Sequence, residues 1–424
     1  MACVTVALYA HRMPTRSPAS DPRFEAVAPG TDLGVRAREL RRIRDAVLGG
    51  GRAPSRPRAL VARSWRRVLD VGLDPDGDNA RDPLGPAAVE EARRASRLSL
   101  VVDELRLVLG SVADASHFLV VITDADGVVL WRDGAAGVRR KADDLGFAEG
   151  ATWTERQVGT NAIGTAIAEA APVQLFSAEH FEAQQHPWYC TAAPVHDPRD
   201  GSLLGVVDVS GPALTLHPAI GGLVASAVRL GEAGLWRRHH EDLERLRRRT
   251  EHVVGGSGPL LVVDDEGWVA HRVGVAAGPR LEAPSAGRPL AVPGLGVCLA
   301  EPLGDRPGDG WLVRPAATAA SARPLRARLL AGPPAVLEVA DGGGGAPWRV
   351  QLTPRHAEIV RTLAAAGSAG TDAAGLSRAL HGDAEHLVTV RAEVSRLRRV
   401  LGALVLSGPY RLAPEVVLEI EPRS

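Results

Sequence analysis

The stretch from Trp153 to Ser210 constrains the fold more than any other part of the 424-residue chain. Val158-Gly159-Thr160-Asn161-Ala162-Ile163-Gly164-Thr165 is followed by Ala178-Glu179-His180-Phe181 and then by His186-Pro187-Trp188-Tyr189-Cys190. The stretch closes on Gly205-Val206-Val207-Asp208-Val209-Ser210. Short apolar runs bounded by Gly, Pro and Asp read as buried strands. Thr160-Asn161 opens a helix over 161–169 by capping it. Small residues and polar tips among apolar strands describe a pocket. No nucleophile in it has a base at a recognisable spacing, so it reads as a pocket without a catalyst, and the chain is not expected to be an enzyme.

Eight residues are the candidates for holding a ligand. Trp153, Phe181 and Trp188 supply apolar walls, while His186, Cys190 and Asp208 supply polar ends, with His180 nearby. Thr160 and Asn161 begin a helix and can present backbone N–H groups to an anion. A plainer reading stands beside this one: Gly159 and Gly164 allow close packing, and Asn161 only caps. Cys190 has two readings as well, a reactive thiol or metal ligand beside His186, or a small buried strand residue. Pro187 breaks helical geometry between His186 and Cys190, and neither a metal nor another cofactor is expected.

The flanks complete a pattern. Residues 118–131 read as strand, turn at Asp126-Gly127, and strand. A second hairpin turns at 197–201, and a helix over 220–236 closes the segment. Strands, helix, strands and helix fit an antiparallel sheet with helices packed on it. Over 101–236 the combined blocks resemble the GAF sensor domain at the front of bacterial acetoin- and glycerol-type transcriptional regulators. Ser64-Trp65-Arg66-Arg67, ahead of Gly72-Leu73-Asp74-Pro75, also occurs in that family just before its sensor. The resemblance implies an unknown small-molecule effector. Those regulators often carry an ATPase in mid-chain. Here Lys141 is the only lysine, and it follows Arg139-Arg140 rather than a glycine-rich loop. A phosphate-binding loop needs its lysine, so no standard ATPase module is present in this sequence.

Charge narrows the partners. Fifty basic and fifty acidic residues give a formal net charge of zero, so any affinity for DNA must come from a local patch. No apolar run is long enough to span a bilayer, and residues 1–10 lack the basic start of a signal peptide. Cys3, Cys190 and Cys298 lie far apart, which suits a reducing cytoplasm.

The rest of the chain divides by pattern. Residues 1–34 read as disordered, with Met13 a possible alternative start. Residues 35–100 form a helical region, with helices at 35–48, 61–69 and 87–109. After the sensor, 237–257 is a connecting helix, either dimer-forming or a solvated spacer. Residues 258–314 repeat the sensor's opening in shortened form, with a hairpin turning at Glu266-Gly267, and read as a small PAS-like α/β unit. Residues 315–347, rich in Ala, Pro and Arg, read as a linker.

Residues 348–413 carry the second motif. Thr353 caps a helix with Pro354 at its first position, and Asp372 caps another. In the third helix Val390, Val394, Leu397 and Leu401 make one buried stripe, leaving arginines on a different face. A hairpin over 404–412 follows. Three helices and a hairpin resemble the winged helix of OmpR-type response regulators. That resemblance makes Thr389, Arg391, Ser395, Arg396, Arg398 and Arg399 the candidate DNA contacts, with Arg411 on the wing. The full expectation is an α+β multidomain chain: a GAF-type antiparallel sheet with helices, a PAS-like unit and a C-terminal winged helix-turn-helix. It would act as a cytoplasmic, homodimeric, one-component regulator that binds DNA and not membrane. The alternative is a GAF-based adaptor that binds a signalling protein rather than DNA.

Overall fold

The computed structural model describes residues 25–76, 83–116, 118–254, 258–292, 295–315, 325–340, 347–414 and 416–421. It divides into two compact units, Met1–Arg238 and His239–Ser424. The expectation of disorder over 1–34 falls largely outside the described residues. At its C-terminal edge the chain is already helical.

In the first unit, Leu33–Leu48 (α1) starts where the Asp32 side chain accepts from the Val35 N–H. Ala59–Val71 (α2) stops at Gly72, which takes φ 82°. Pro86–Ala95 (α3) carries its proline in the first turn. The single helix expected over 87–109 is broken at Ser96. That residue is extended, its hydroxyl accepts from the Leu98 N–H, and a 3-10 turn follows before Val102–Ser116 (α4) resumes. Local serine bonding offers the backbone an alternative to the helix.

Next come Leu119–Asp124 (β1), Val129–Gly134 (β2), Ala136–Asp143 (α5), Glu155–Val158 (α6), Ala162–Glu169 (α7), Val173–Phe176 (β3), Trp188–His196 (β4) and Leu203–Pro212 (β5). The helix Ile220–Val254 (α8) runs through the point where the units divide. The five strands form one antiparallel sheet in the order β2-β1-β5-β4-β3. Gly205 is required in β5, because a Cβ there would lie 1.9 Å from the Thr123 carbonyl oxygen.

Strand alternation sends side chains to two faces, and both are buried. Val120, Ile122, Val207 and Val209 pack with Leu98, Leu105, Leu109 and Val224 on one side. Leu119, Val121 and Val206 pack with Leu60, Trp65, Val68 and Ile163 on the other. The separation of 35–100 from a sensor at 101–236 is therefore corrected: α1 and α2 contribute Leu40, Ile43, Leu60 and Trp65 to the same cores. A sheet with two apolar faces needs helices on both.

In the second unit, Leu260–Val263 (β6), Val269–Val273 (β7), Leu290–Val292 (β8), Gly296–Pro302 (β9) and Trp311–Pro315 (β10) form an antiparallel sheet ordered β7-β6-β10-β9-β8. Counted from its own first strand, this is the order of the first sheet. The opening turn repeats too. Asp124 Oδ1 accepts from the N–H groups of Asp126 and Val128, and Asp264 Oδ1 from those of Glu266 and Trp268. Gly127 and Gly267 take φ of 80° and 85°. No helix lies among the described residues of 258–315, which corrects the α/β reading of that segment. Helical cover comes from α8, whose buried Leu246 packs with Leu260, Val262 and Leu312. The connecting helix is thus more than a solvated spacer.

The linker expected over 315–347 is corrected as well. Leu325–Leu330 (β11) and Ala335–Ala340 (β12) lie within it, followed by Trp348–Leu352 (β13). Residues 316–324 and 341–346 are outside the described set. Pro354–Ala366 (α9), Ala373–His381 (α10), Leu387–Leu401 (α11), Val405–Leu406 (β14), Arg411–Leu412 (β15) and Val416–Ile420 (β16) complete the chain. The four-stranded sheet has the order β13-β12-β11-β16, with β16 parallel to β11.

Candidate functional site

The sheet and α7 of the first unit enclose a cavity of about 20 Å³, room for roughly one water. Of the eight predicted residues, Trp153, Asn161, Trp188, Cys190 and Asp208 line it, joined by Leu145, Phe147, Ala162, Ile163, Gln185 and Ser210. Asp208 and Ser210 are on β5 and Cys190 is on β4, directly opposite Ser210 in the ladder. Phe147 and Trp153 pack with ring centroids 4.1 Å apart.

Asp208 is 1% exposed. Its Oδ2 accepts from the Ser210 hydroxyl at 2.5 Å, and that hydroxyl lies 3.0 Å from Cys190 Sγ. Oδ1 accepts no hydrogen bond from any described group. Burial pushes the Asp208 carboxyl up to about 7, against the Ser210 bond, which pulls it down. Burial, and then Asp208, also pushes the Cys190 thiol well up. A thiol kept protonated is a poor nucleophile and a poor metal ligand, which favours the strand-residue reading of Cys190.

Three predicted residues are not brought to the cavity. Thr160 is buried, with its hydroxyl 2.6 Å from Ser64 Oγ. Phe181 sits in the apolar core against Gly159, where a Cβ would lie 2.5 Å from its ring, and Gly159 has φ 72°. His186 is kept neutral, its pKa pushed down to about 3 by burial and then by Arg44. Burial likewise lowers His180 to about 4. Among the described residues no group of three or more His, Cys, Asp or Glu is placed to hold a metal ion. Asn161 lines the cavity as a wall, but its polar atoms serve the chain. Oδ1 accepts from the Gly164 N–H and Nδ2 donates to the Gly159 carbonyl, each at 2.9 Å.

Sequence reasoning missed the polar latch behind α7. Glu155 accepts from Ser64 at 2.6 Å, from Thr165 at 2.8 Å, and from Arg67 at 2.6 and 2.8 Å. Arg67 also donates to Glu169, which pairs with Arg63. The Arg63 bond comes first among the causes that hold Glu169 below the usual carboxylate range. Trp65 Nε1 donates to the Glu179 carbonyl. The Ser-Trp-Arg-Arg segment was the available signal: its residues lock α2 against the elements that carry the cavity wall.

In the second unit Val390, Val394, Leu397 and Leu401 are the buried residues of α11. Thr389, Arg391, Ser395, Arg396, Arg398 and Arg399 are all exposed. Arg396 pairs with Glu393 at 2.6 Å, and Arg398 Nε donates to the Val405 carbonyl at 3.2 Å, tying the helix to the β14–β15 hairpin. Arg391 and Arg399 have no ion-pair partner among the described residues. Arg411 is half-buried and donates to the Ser368 carbonyl.

Residues 37–231 match the MimR N-terminal domain. The chain is 30% identical over 403 residues to the uncharacterized 47.3 kDa protein in the thcA 5′ region of Rhodococcus erythropolis, an alignment that covers 93% of this chain and 74% of that one. The chain belongs to that protein's family. It is 33% identical over 223 residues to the acetoin dehydrogenase operon transcriptional activator AcoR of Bacillus subtilis, covering 52% of this chain and 36% of that one. The match thus spans about a third of that regulator's length. Among solved structures, the E. coli DhaR(N)–DhaL complex aligns at 17% identity over 60% of this chain and 97% of that chain, with a TM-score of 0.43.

Proposed function

We propose that the chain is a one-component transcriptional regulator and not an enzyme. In this reading a GAF-type first unit responds to a small effector, and a winged helix in the second unit binds DNA. The regulators among its relatives support the regulatory role. The exposed arginine face of α11, followed at once by a hairpin, is the observation that carries the DNA reading. Arginine forks suit both phosphate oxygens and guanine edges. The chain would act in the cytoplasm as a dimer, with the effector altering how two winged helices meet their half-sites. Among the described residues no helix is long and apolar enough to cross a membrane.

The test is selection of genomic fragments at fixed salt by the wild-type chain and by Arg391→Ala/Arg399→Ala. This pair spares Arg398, whose side chain holds the hairpin. Discrete enriched sites lost in the double variant support the reading. A folded wild type that enriches nothing, with and without cell extract, overturns it in favour of the adaptor.

A further inference from the structure

The outer face of α11 carries an order that charge alone does not explain. Val388, Ala392, Ser395 and Arg399 have the spacing of the buried row Val390, Val394, Leu397 and Leu401, displaced by two residues. Two residues turn a helix by about 200°, so this row lies across the helix from the core. Arg391 and Arg398 flank the row on one side, and Thr389 and Arg396 on the other. The row is neutral up to Arg399, and it opens on Val388, which is 80% exposed. One exposed apolar residue is ordinary on a protein surface. This one stands between two arginine-bearing flanks, in the first turn of a helix whose start is fixed. The His386 N–H donates to the hydroxyl of the buried Ser377 at 3.1 Å.

We infer that Val388 reads DNA sequence by packing against the C5 methyl of a thymine in the major groove. The inference rests on the DNA-binding reading and names a specificity-determining residue for it. The major groove is about 12 Å wide and admits an α-helix. A helix lying in it turns its outermost row to the base edges and its flanks to the two phosphate walls. Arginine suits the flanks, because its fork pairs with phosphate oxygens. Arg396 is held by Glu393 in a partly exposed pair, of a kind that a phosphate displaces at little cost. Val388 offers no side-chain hydrogen bond, and the thymine methyl is the apolar group that base edges display in that groove. A protein surface that covered Val388 would have to desolvate the arginines beside it, whereas phosphates pair with them. Removing one buried methyl from such a contact weakens binding about fourfold.

The experiment starts from the sites that the genomic selection enriches. Each thymine of a site is replaced in turn by deoxyuridine, which removes the C5 methyl and keeps the base pair. Affinities of the full chain and of Val388→Ala are read by fluorescence anisotropy at several salt concentrations. The expected result is a thymine whose replacement weakens wild-type binding about fourfold. Val388→Ala should bind the thymine site about as weakly as the wild type binds the deoxyuridine site, and should not distinguish the two. Its salt dependence should match the wild type, because no phosphate contact is lost, whereas Arg391→Ala should flatten it. Enriched sites in which no thymine responds, or in which the response persists in Val388→Ala, overturn the inference and leave DNA binding in place. Unchanged affinity of Val388→Ala for the thymine site also overturns it. A wild type that enriches no site overturns the DNA-binding reading, and the inference falls with it. Alanine favours a helix more than valine does, and position 388 is exposed, so the variant is expected to fold.

Discussion

Asp208 and Glu155 are two buried carboxyls with opposite circumstances, and each predicts its own behaviour. Among the described residues Asp208 has no cationic partner, and its folded pKa stands at about 7 against an ordinary 3.8. The folded chain therefore holds this proton more tightly than the unfolded chain. The stability so gained is fully present below about pH 4 and is lost as pH rises to about 7. His180 and His186 work the other way, since their folded values lie below 6.5 and their contribution falls as pH drops. These histidines are common to wild type and Asp208→Asn, so the difference between the two isolates Asp208. In urea unfolding, that difference should shift steadily against the wild type from pH 4 to pH 7 and then level off. Glu155, by contrast, is surrounded by donors. Arg67→Ala should cost about 2 kcal/mol, less than a fully buried pair because Arg67 is partly open to solvent. A midpoint unchanged in urea would show that Ser64 and Thr165 suffice.

Elements are shaped here by single residues whose role sequence spacing could only partly reveal. Thr353 was legible as a cap, and its hydroxyl accepts from the His356 N–H at 3.1 Å. Thr353→Ala should lower stability by about 1 kcal/mol in chemical denaturation. Gly164 was open to two readings, and close packing is the one the contacts favour. A Cβ there would lie 2.5 Å from the Glu155 amide nitrogen and 2.7 Å from the Thr154 carbonyl carbon. Gly164→Ala should push α7 away from α6 at a cost of about 1–3 kcal/mol, and with it the Asn161 and Ile163 wall of the cavity. The break at Ser96 and the strand Leu325–Leu330 were both misread, for different reasons. Ser96 interrupts an otherwise apolar periodicity by a local hydrogen bond. The strand does have a period of two, Leu325-Arg326-Ala327-Arg328-Leu329, but it sits in a stretch whose Ala, Pro and Arg content resembles a linker.

At the scale of the whole molecule, separate cores predict separate unfolding. Leu363 is fully buried in α9, in a core whose described members all belong to the second unit. Leu363→Ala should cost about 2–5 kcal/mol. In calorimetry it should lower the transition of that unit and leave unchanged the transition of the first. A shift of both transitions together would mean that the chain unfolds as one cooperative body. The sequence by itself determined the hairpin turns, the caps, the apolar stripe of α11 and the polar tips of the first sheet. These depend on residues close together in the chain, whose backbone preferences and periodicities act locally. It also displayed the repeated turn at Asp124 and Asp264, because the same four-residue geometry needs the same Asp and Gly. Tertiary structure alone decided that α1 and α2 complete the first unit, that Glu155 draws donors from α2, and that Asp208 faces its neighbours without a cation. Burial and partnership join residues roughly a hundred positions apart, and no local pattern specifies which distant side chain arrives to meet a given charge.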